Sequence, residues 1–161
     1  MSLRVVGGGH DVHVVDGLIA TSSPGAPTLD ASGLLVAPGL IDLQVNGAHG
    51  VDITAEPHRL WEVAAALPAY GVTAFLPTII TSSPQARAAA VQALAAGRPA
   101  GVPAGAVPLG LHFEGPMISA THKGAHPAHW LAPASLELID GWSADAGVSM
   151  MTENIPVQAR P

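Results

Sequence analysis

The run Leu111-His112-Phe113-Glu114-Gly115-Pro116 follows an apolar stretch, Ala106-Val107-Pro108-Leu109-Gly110, and delivers a carboxylate where a buried strand stops. Strand alternation sets His112 and Glu114 on one face. A Glu ahead of Gly-Pro at such a place has no evident packing reason and suits a metal ligand. A second run, Pro38-Gly39-Leu40-Ile41-Asp42-Leu43-Gln44-Val45-Asn46-Gly47, has the same build, with Asp42, Gln44 and Asn46 sharing a face. If both faces turn inward at neighbouring strand ends, carboxylate, amide and imidazole converge on one volume, which suits a divalent ion with an activated water. Taken singly, Asp42 reads better as a strand-end acceptor for backbone N–H groups, and His112 as a hydrogen-bonded core histidine. Gln44 and Asn46 read equally as site lining or as polar strand termination.

A polar loop after this strand carries further candidates. Lys123-Gly124-Ala125-His126 can lay backbone amides and an imidazole against a substrate, since loops on the ligand side of a sheet carry function. His122 and His129 read as incidental residues of a solvated loop, and His10, His13, His49 and His58 as surface or packing residues. Trp61, Trp130 and Trp142 read as packing anchors.

Composition narrows the chemistry. The chain has 161 residues, 48% hydrophobic and only 11% charged, a balance that excludes charge-driven disorder and leaves room for a real core. Six Lys and Arg against twelve Asp and Glu give a net charge of −6, with no basic cluster to neutralise a nucleic-acid backbone. Cysteine is absent, so disulfides, thiolate metal sites and cysteine nucleophiles are excluded together, and any metal sits among N and O donors. No leader-like apolar region and no span long enough for a bilayer is evident, so the expectation is a cytoplasmic chain without a membrane partner.

These residues need elements to position them. Short strands are expected over Leu3–Val6, Val12–Val15, Leu18–Ala20 and Leu34–Val36, with Asp16-Gly17 as a tight hairpin turn, which together make a small β layer. Past Pro38-Gly39 strand and helix alternate. A buried strand over Leu40–Val45 precedes a helix with Leu60, Val63, Ala64 and Leu67 on its apolar stripe and Pro68 at its end. A strand near Val72–Leu76 precedes a helix that Ser83-Pro84 caps and that runs to about Ala96. A third strand over Leu109–Glu114 leads to a helix over Ala134–Trp142, and Val148–Met151 opens a fourth strand. Strand-helix units in succession make an α/β protein with a parallel sheet, and ligands bind at the carboxyl ends of such strands. Gln44 and Asn46, Thr78 and Thr81, and Glu114 all fall there.

The combination of motifs resembles a known family. Gly33-Leu34-Leu35-Val36-Ala37-Pro38-Gly39-Leu40-Ile41-Asp42 is similar to the entry of the amidohydrolase superfamily. Leu43–Gly47, Gly71–Thr78, Leu109–Pro116 and Lys123–Pro127, in this order, resemble the N-acetylglucosamine-6-phosphate deacetylase family. The resemblance implies a small β-sandwich segment at 1–37. At 38–161 it implies the first three to four β/α units of a metal-dependent-hydrolase TIM (β/α)8 barrel. It implies one divalent metal ion, Zn or Fe, because Gln44 and Asn46 stand where the superfamily usually has a His-x-His pair. Glu114 would be the metal ligand, and Ala125 and His126 would contact the substrate, an amino-sugar phosphate. Asp42, Gln44, Asn46 and His112 would line the site. The reaction would be hydrolysis of the acetamide to glucosamine 6-phosphate and acetate, in a family whose full-length members are expected to be homodimers.

A whole barrel takes roughly 250 residues, and the family's later histidine ligands and its aspartate general base belong to strands not expected here. The tail Met150–Pro161 also departs from the family's Leu-Ala-Pro-Glu turn and reads as truncated or out of frame. The chain alone is therefore expected to be inactive. Two other readings stand beside this one: another amidohydrolase, such as a dihydroorotase-like cyclic amidase, and a non-catalytic remnant acting as an interaction module.

Overall fold

A computed structural model describes residues 1–154. The chain divides into two compact units, Met1–Pro38 and the part from Gly39 onward.

In the first unit, β1 (Ser2–Val6), β2 (Val12–Val15), β3 (Leu18–Ala20) and β4 (Thr28–Asp30) form one sheet in the order β3-β2-β1-β4. The β2–β3 turn carries positive φ at both Asp16 (50°) and Gly17 (82°), as a tight hairpin demands. The expected strand at Leu34–Val36 does not form, and Leu34 and Leu35 are exposed. Its place is taken by β4, parallel to β1, which hydrogen bonds from Arg4 N–H to Pro27 O and from Ala31 N–H to Val6 O secure at its two ends. The sequence Thr-Leu-Asp has no apolar alternation, so pairing and not periodicity makes this strand.

The second unit is an α/β fold on a parallel sheet. Its elements are β5 (Leu40–Val45), the short hairpin β6 (Gly47–Ala48) and β7 (Val51–Asp52), α1 (Leu60–Ala66), β8 (Val72–Ile80), α2 (Pro84–Ala95), β9 (Val107–Pro108), β10 (Leu111–Ile118), α3 (Leu136–Ile139) and β11 (Val148–Asn154). The sheet runs β11-β10-β8-β5, with β9 also paired to β8. Pro57 opens the turn that leads into α1, and Pro68 converts its end to a 3-10 turn, since the ring offers no N–H to an α-helical ladder. Ser83 Oγ accepts from Ala86 N–H and caps α2.

Leu60, Val63, Ala64 and Leu67 are buried against Phe75, Ile79, Leu111 and Phe113, each large side chain contributing roughly 1.5–3 kcal/mol. Trp142 packs edge-on against Phe113 at 4.8 Å between ring centroids, and Trp61 donates to Ala93 O. Trp130 is 40% exposed and anchors no core.

Three further expectations need correction. The strand Leu40–Val45 forms but is not buried: among the described residues it pairs only with β8, and Leu40, Ile41 and Leu43 are more than half exposed. An apolar run reads as buried only when neighbours cover it on both sides. The third strand begins at Leu111 and runs on to Ile118, because Gly110, at φ 112°, breaks the ladder after β9. The helix expected over Ala134–Trp142 shortens to Leu136–Ile139, and a turn follows that returns Val148 to the sheet. The expected departure of the tail lies, from Ile155 on, outside the described residues. No helix among the described residues is long and apolar enough to cross a membrane.

Glu153, on β11, buries both carboxylate oxygens with no hydrogen-bond partner among the described residues. Desolvation raises its pKa above the ordinary 4.5, which the Met117 backbone and the Arg87 charge only partly offset. The folded state therefore holds the proton more tightly than the unfolded chain, so stability falls as pH rises through and above 4.5. Glu153→Gln is expected to raise the melting temperature at neutral pH, with a gain that shrinks as the pH falls toward 4.5. A thermal-melt series across pH checks it.

Candidate active site

Parallel pairing aligns the strand ends that carry the polar residues. Glu114 lies opposite Ile80 on β8, and Val45 opposite Pro77, so Gln44, Asn46, Thr81 and Glu114 leave the sheet at one rim. Gln44 Nε2 donates to Glu114 Oε2 at 3.1 Å. His126, from the loop after β10, brings Nε2 to 3.7 Å from Glu114 Oε1, with side-chain exposures of only 12% and 20%. Its other ring nitrogen, Nδ1, stands 2.7 Å from Thr81 Oγ1. Thr81 in turn donates to the Glu114 carbonyl. The Thr81 contact fixes the ring with Nε2 turned toward the Glu114 carboxylate.

A cavity of about 510 Å³ opens over this group, with Asn46, Asp52, Glu114, Lys123, Ala125 and His126 in its lining. Lys123 Nζ bonds the carbonyls of Gly124 and His126 at 3.3 Å, which curls the loop and sets a positive charge at the wall. Gln44, Glu114 and His126 therefore meet directly, and Asn46 and Ala125 face the same space.

Asp42 and His112 are placed otherwise. The Asp42 carboxylate turns back on its own strand and accepts Gln44 N–H at 3.0 Å. His112 is 0% exposed and outside the cavity lining, with Thr78 and Leu43 O on Nδ1 and Thr152 Oγ1 on Nε2.

Reading the sequence misses Asp52, Thr54 and His122, all of which line the cavity. Asp52 and Thr54 come up on the short β6–β7 hairpin, whose turn has positive φ at His49 (52°) and Gly50 (78°). Asp52 accepts from Thr54 N–H, and Thr54 Oγ1 accepts from Ile80 N–H at the end of β8. The available signal was Asp-x-Thr after His-Gly, a turn followed by an Asx motif. His122 is the last residue of the 3-10 turn Ala120–His122 and stays exposed at the cavity wall, which no local pattern announces.

Gly115 fixes the exit from β10. Its φ is 82°, and a Cβ there would stand 2.0 Å from Thr81 Oγ1. Gly115→Ala is expected to cost about 1–3 kcal/mol from backbone strain and to break the Thr81 contacts with His126 and Glu114. Chemical denaturation, with the His126 ring followed by NMR, checks both.

As a metal site the group is incomplete. One carboxylate with an imidazole beside it matches the hard-to-borderline donors a divalent ion takes, yet the described residues contain no cluster of three His, Cys, Asp or Glu able to hold an ion.

No family model matches the chain. It is 38% identical over 141 residues to the N-acetylglucosamine-6-phosphate deacetylase of Caenorhabditis elegans, covering 80% of this chain and 32% of that protein. It is 34% identical over 148 residues to the enzyme of that name from Bacillus subtilis, covering 84% of this chain and 37% of that protein. The chain thus spans about a third of the length of these curated relatives. The crystal structure of an N-acetylglucosamine-6-phosphate deacetylase from Pasteurella multocida shares the fold, with a TM-score of 0.77 at 23% identity over 95% of this chain and 45% of that one. A mutant deacetylase from Mycobacterium smegmatis, in complex with N-acetyl-D-glucosamine-6-phosphate, matches with a TM-score of 0.67 at 25% identity, over 94% of this chain and 42% of that one. By sequence, this chain is a homologue of N-acetylglucosamine-6-phosphate deacetylases, of which it spans a part.

Proposed function

We propose that the chain carries part of the active site of a metal-dependent deacetylase that hydrolyses the acetamide of N-acetylglucosamine 6-phosphate to glucosamine 6-phosphate and acetate. The observation that carries the reading is the meeting of Gln44, Glu114 and His126 at one strand rim, under a cavity that Asn46, Lys123 and Ala125 line.

Glu114 would hold the ion, zinc or ferrous iron, with Gln44 steadying its second oxygen. Such an ion supplies Lewis acidity and an activated water when bound. His126 would orient the sugar, since Thr81 fixes its ring and leaves Nε2 facing the cavity. Lys123 would favour an anionic substrate by its charge. The parallel β/α order supports the first units of a (β/α)8 barrel, and the separate sheet of the first unit supports a β-sandwich segment. The resemblance to the family supports a homodimer for full-length members.

Catalytic zinc sites usually have about three protein ligands, and the described residues offer Glu114 with at most an imidazole beside it. Residues 1–161, purified and loaded with zinc or ferrous ion, are therefore expected to release no acetate above the metal blank. Turnover would overturn that expectation. The functional reading itself is tested by metal binding and ligand NMR. N-acetylglucosamine 6-phosphate should perturb the amides of Lys123–His126, and dihydroorotate should not. Perturbation by dihydroorotate would favour a cyclic amidase. Absence of both metal and ligand binding would favour a non-catalytic interaction module.

A further inference from the structure

The pairing of β5 with β8 is irregular between Leu40 and Ile41 and again between Asp42 and Val45, and the second irregularity bears on the site. Asp42 sits opposite Phe75 and Val45 opposite Pro77, so two residues, Leu43 and Gln44, face a single one, Leu76, between those register points. This is a bulge, and Pro77 brings no N–H with which to repair the ladder. A bulge near the end of an edge strand releases backbone groups that need other partners, and it re-aims the side chain beyond it.

Both released groups are met by side chains. The Gln44 N–H donates to Asp42 Oδ1 at 3.0 Å, and Leu43 O lies 3.1 Å from His112 Nδ1. A carbonyl only accepts, so Nδ1 carries the proton. Thr78 Oγ1, 3.2 Å from the same nitrogen, spends its own proton on Leu76 O and can share in accepting. Nε2 lies 2.9 Å from Thr152 Oγ1. One fully buried imidazole on β10 thus ties β5, β8 and β11. Its bond to β5 falls on the carbonyl directly before Gln44.

We propose that Asp42 and His112 are a pair of positioning residues: they hold the Leu43–Gln44 bulge open and so aim the Gln44 amide at Glu114. This rests on the reading of Glu114 as a metal ligand for its functional meaning, though the geometry stands without it. Neither residue touches the cavity, and both act through the backbone on either side of the Leu43–Gln44 peptide.

The test uses conservative pairs in the full chain. Asp42→Asn keeps an acceptor for Gln44 N–H and Asp42→Ala does not. His112→Asn keeps a donor near the Nδ1 position, whereas His112→Gln extends its amide toward Thr152 and gives up Leu43 O. The Gln44 side-chain amide resonances, shifted by the bond to Glu114, should be retained in Asp42→Asn and His112→Asn and should move to free-glutamine values in Asp42→Ala and His112→Gln. Zinc affinity should fall about 10- to 100-fold in the latter two, as for other groups that support a ligand. If Asp42→Ala or His112→Gln fails to fold, the Asn variants decide: retained Gln44 shifts support the proposal and lost ones overturn it. Unmoved Gln44 shifts in folded Asp42→Ala and His112→Gln also overturn it, as does equal damage from Asn and Gln at 112, which is what a merely structural role predicts. If the wild-type chain binds no zinc, the metal reading fails while the Gln44 shifts still test the positioning.

Discussion

Glu114→Gln is expected to weaken zinc binding by at least about 100-fold, because residues that merely support a metal ligand already cost 10- to 100-fold when replaced. The substitution keeps the shape of the side chain. Its amide oxygen can still accept from Gln44 Nε2, which lies 3.1 Å from the carboxylate, and its NH2 takes the place of the oxygen that stands 3.7 Å from His126 Nε2. Only the charge is lost. The unloaded variant should therefore melt within a few degrees of the parent chain. Calorimetric titration with zinc, paired with a thermal melt of the unloaded protein, separates lost affinity from lost fold. Unchanged affinity would show that the ion is held by other residues, and the deacetylase reading would lose its metal.

That expectation depends on residues legible in the sequence to different degrees. Glu114 was legible because Gly115-Pro116 leaves a strand-end carboxylate with no packing role, and Gln44 and Asn46 because alternation puts them on one face. His126 was legible as part of a small cluster in a loop on the ligand side. Asp42 and His112 shared those faces by alternation, yet the Leu43–Gln44 bulge uncouples face from destination. A bulge depends on what the neighbouring strand offers, here Leu76 and the N–H-less Pro77, and a single strand's pattern does not contain it. Asp52 and His122 were missed for a related reason: each is brought in by a turn, and turns leave no periodicity to read. The helices were the plainest elements, since Leu60, Val63, Ala64 and Leu67 repeat at helical spacing and Ser83-Pro84 announces a cap.

The apolar character of β5 was legible too, but its burial was not, and the difference has a measurable consequence. Ile41 is 61% exposed on a strand that, among the described residues, has one paired edge and one free edge. A free edge with apolar side chains is a template for pairing with another chain. Charge on such an edge opposes it, because pairing would bury the ammonium without a partner. Ile41→Lys removes an isoleucine whose burial in a contact is worth roughly 1.5–3 kcal/mol, so self-association of the purified chain should weaken by about 10-fold or more. Light scattering over a concentration series reads this directly, and the monomer should melt close to the parent chain, since Ile41 lies outside the buried core. Association that persists unchanged in Ile41→Lys would move the sticky surface away from β5, and the edge at β11 would then be the place to substitute next.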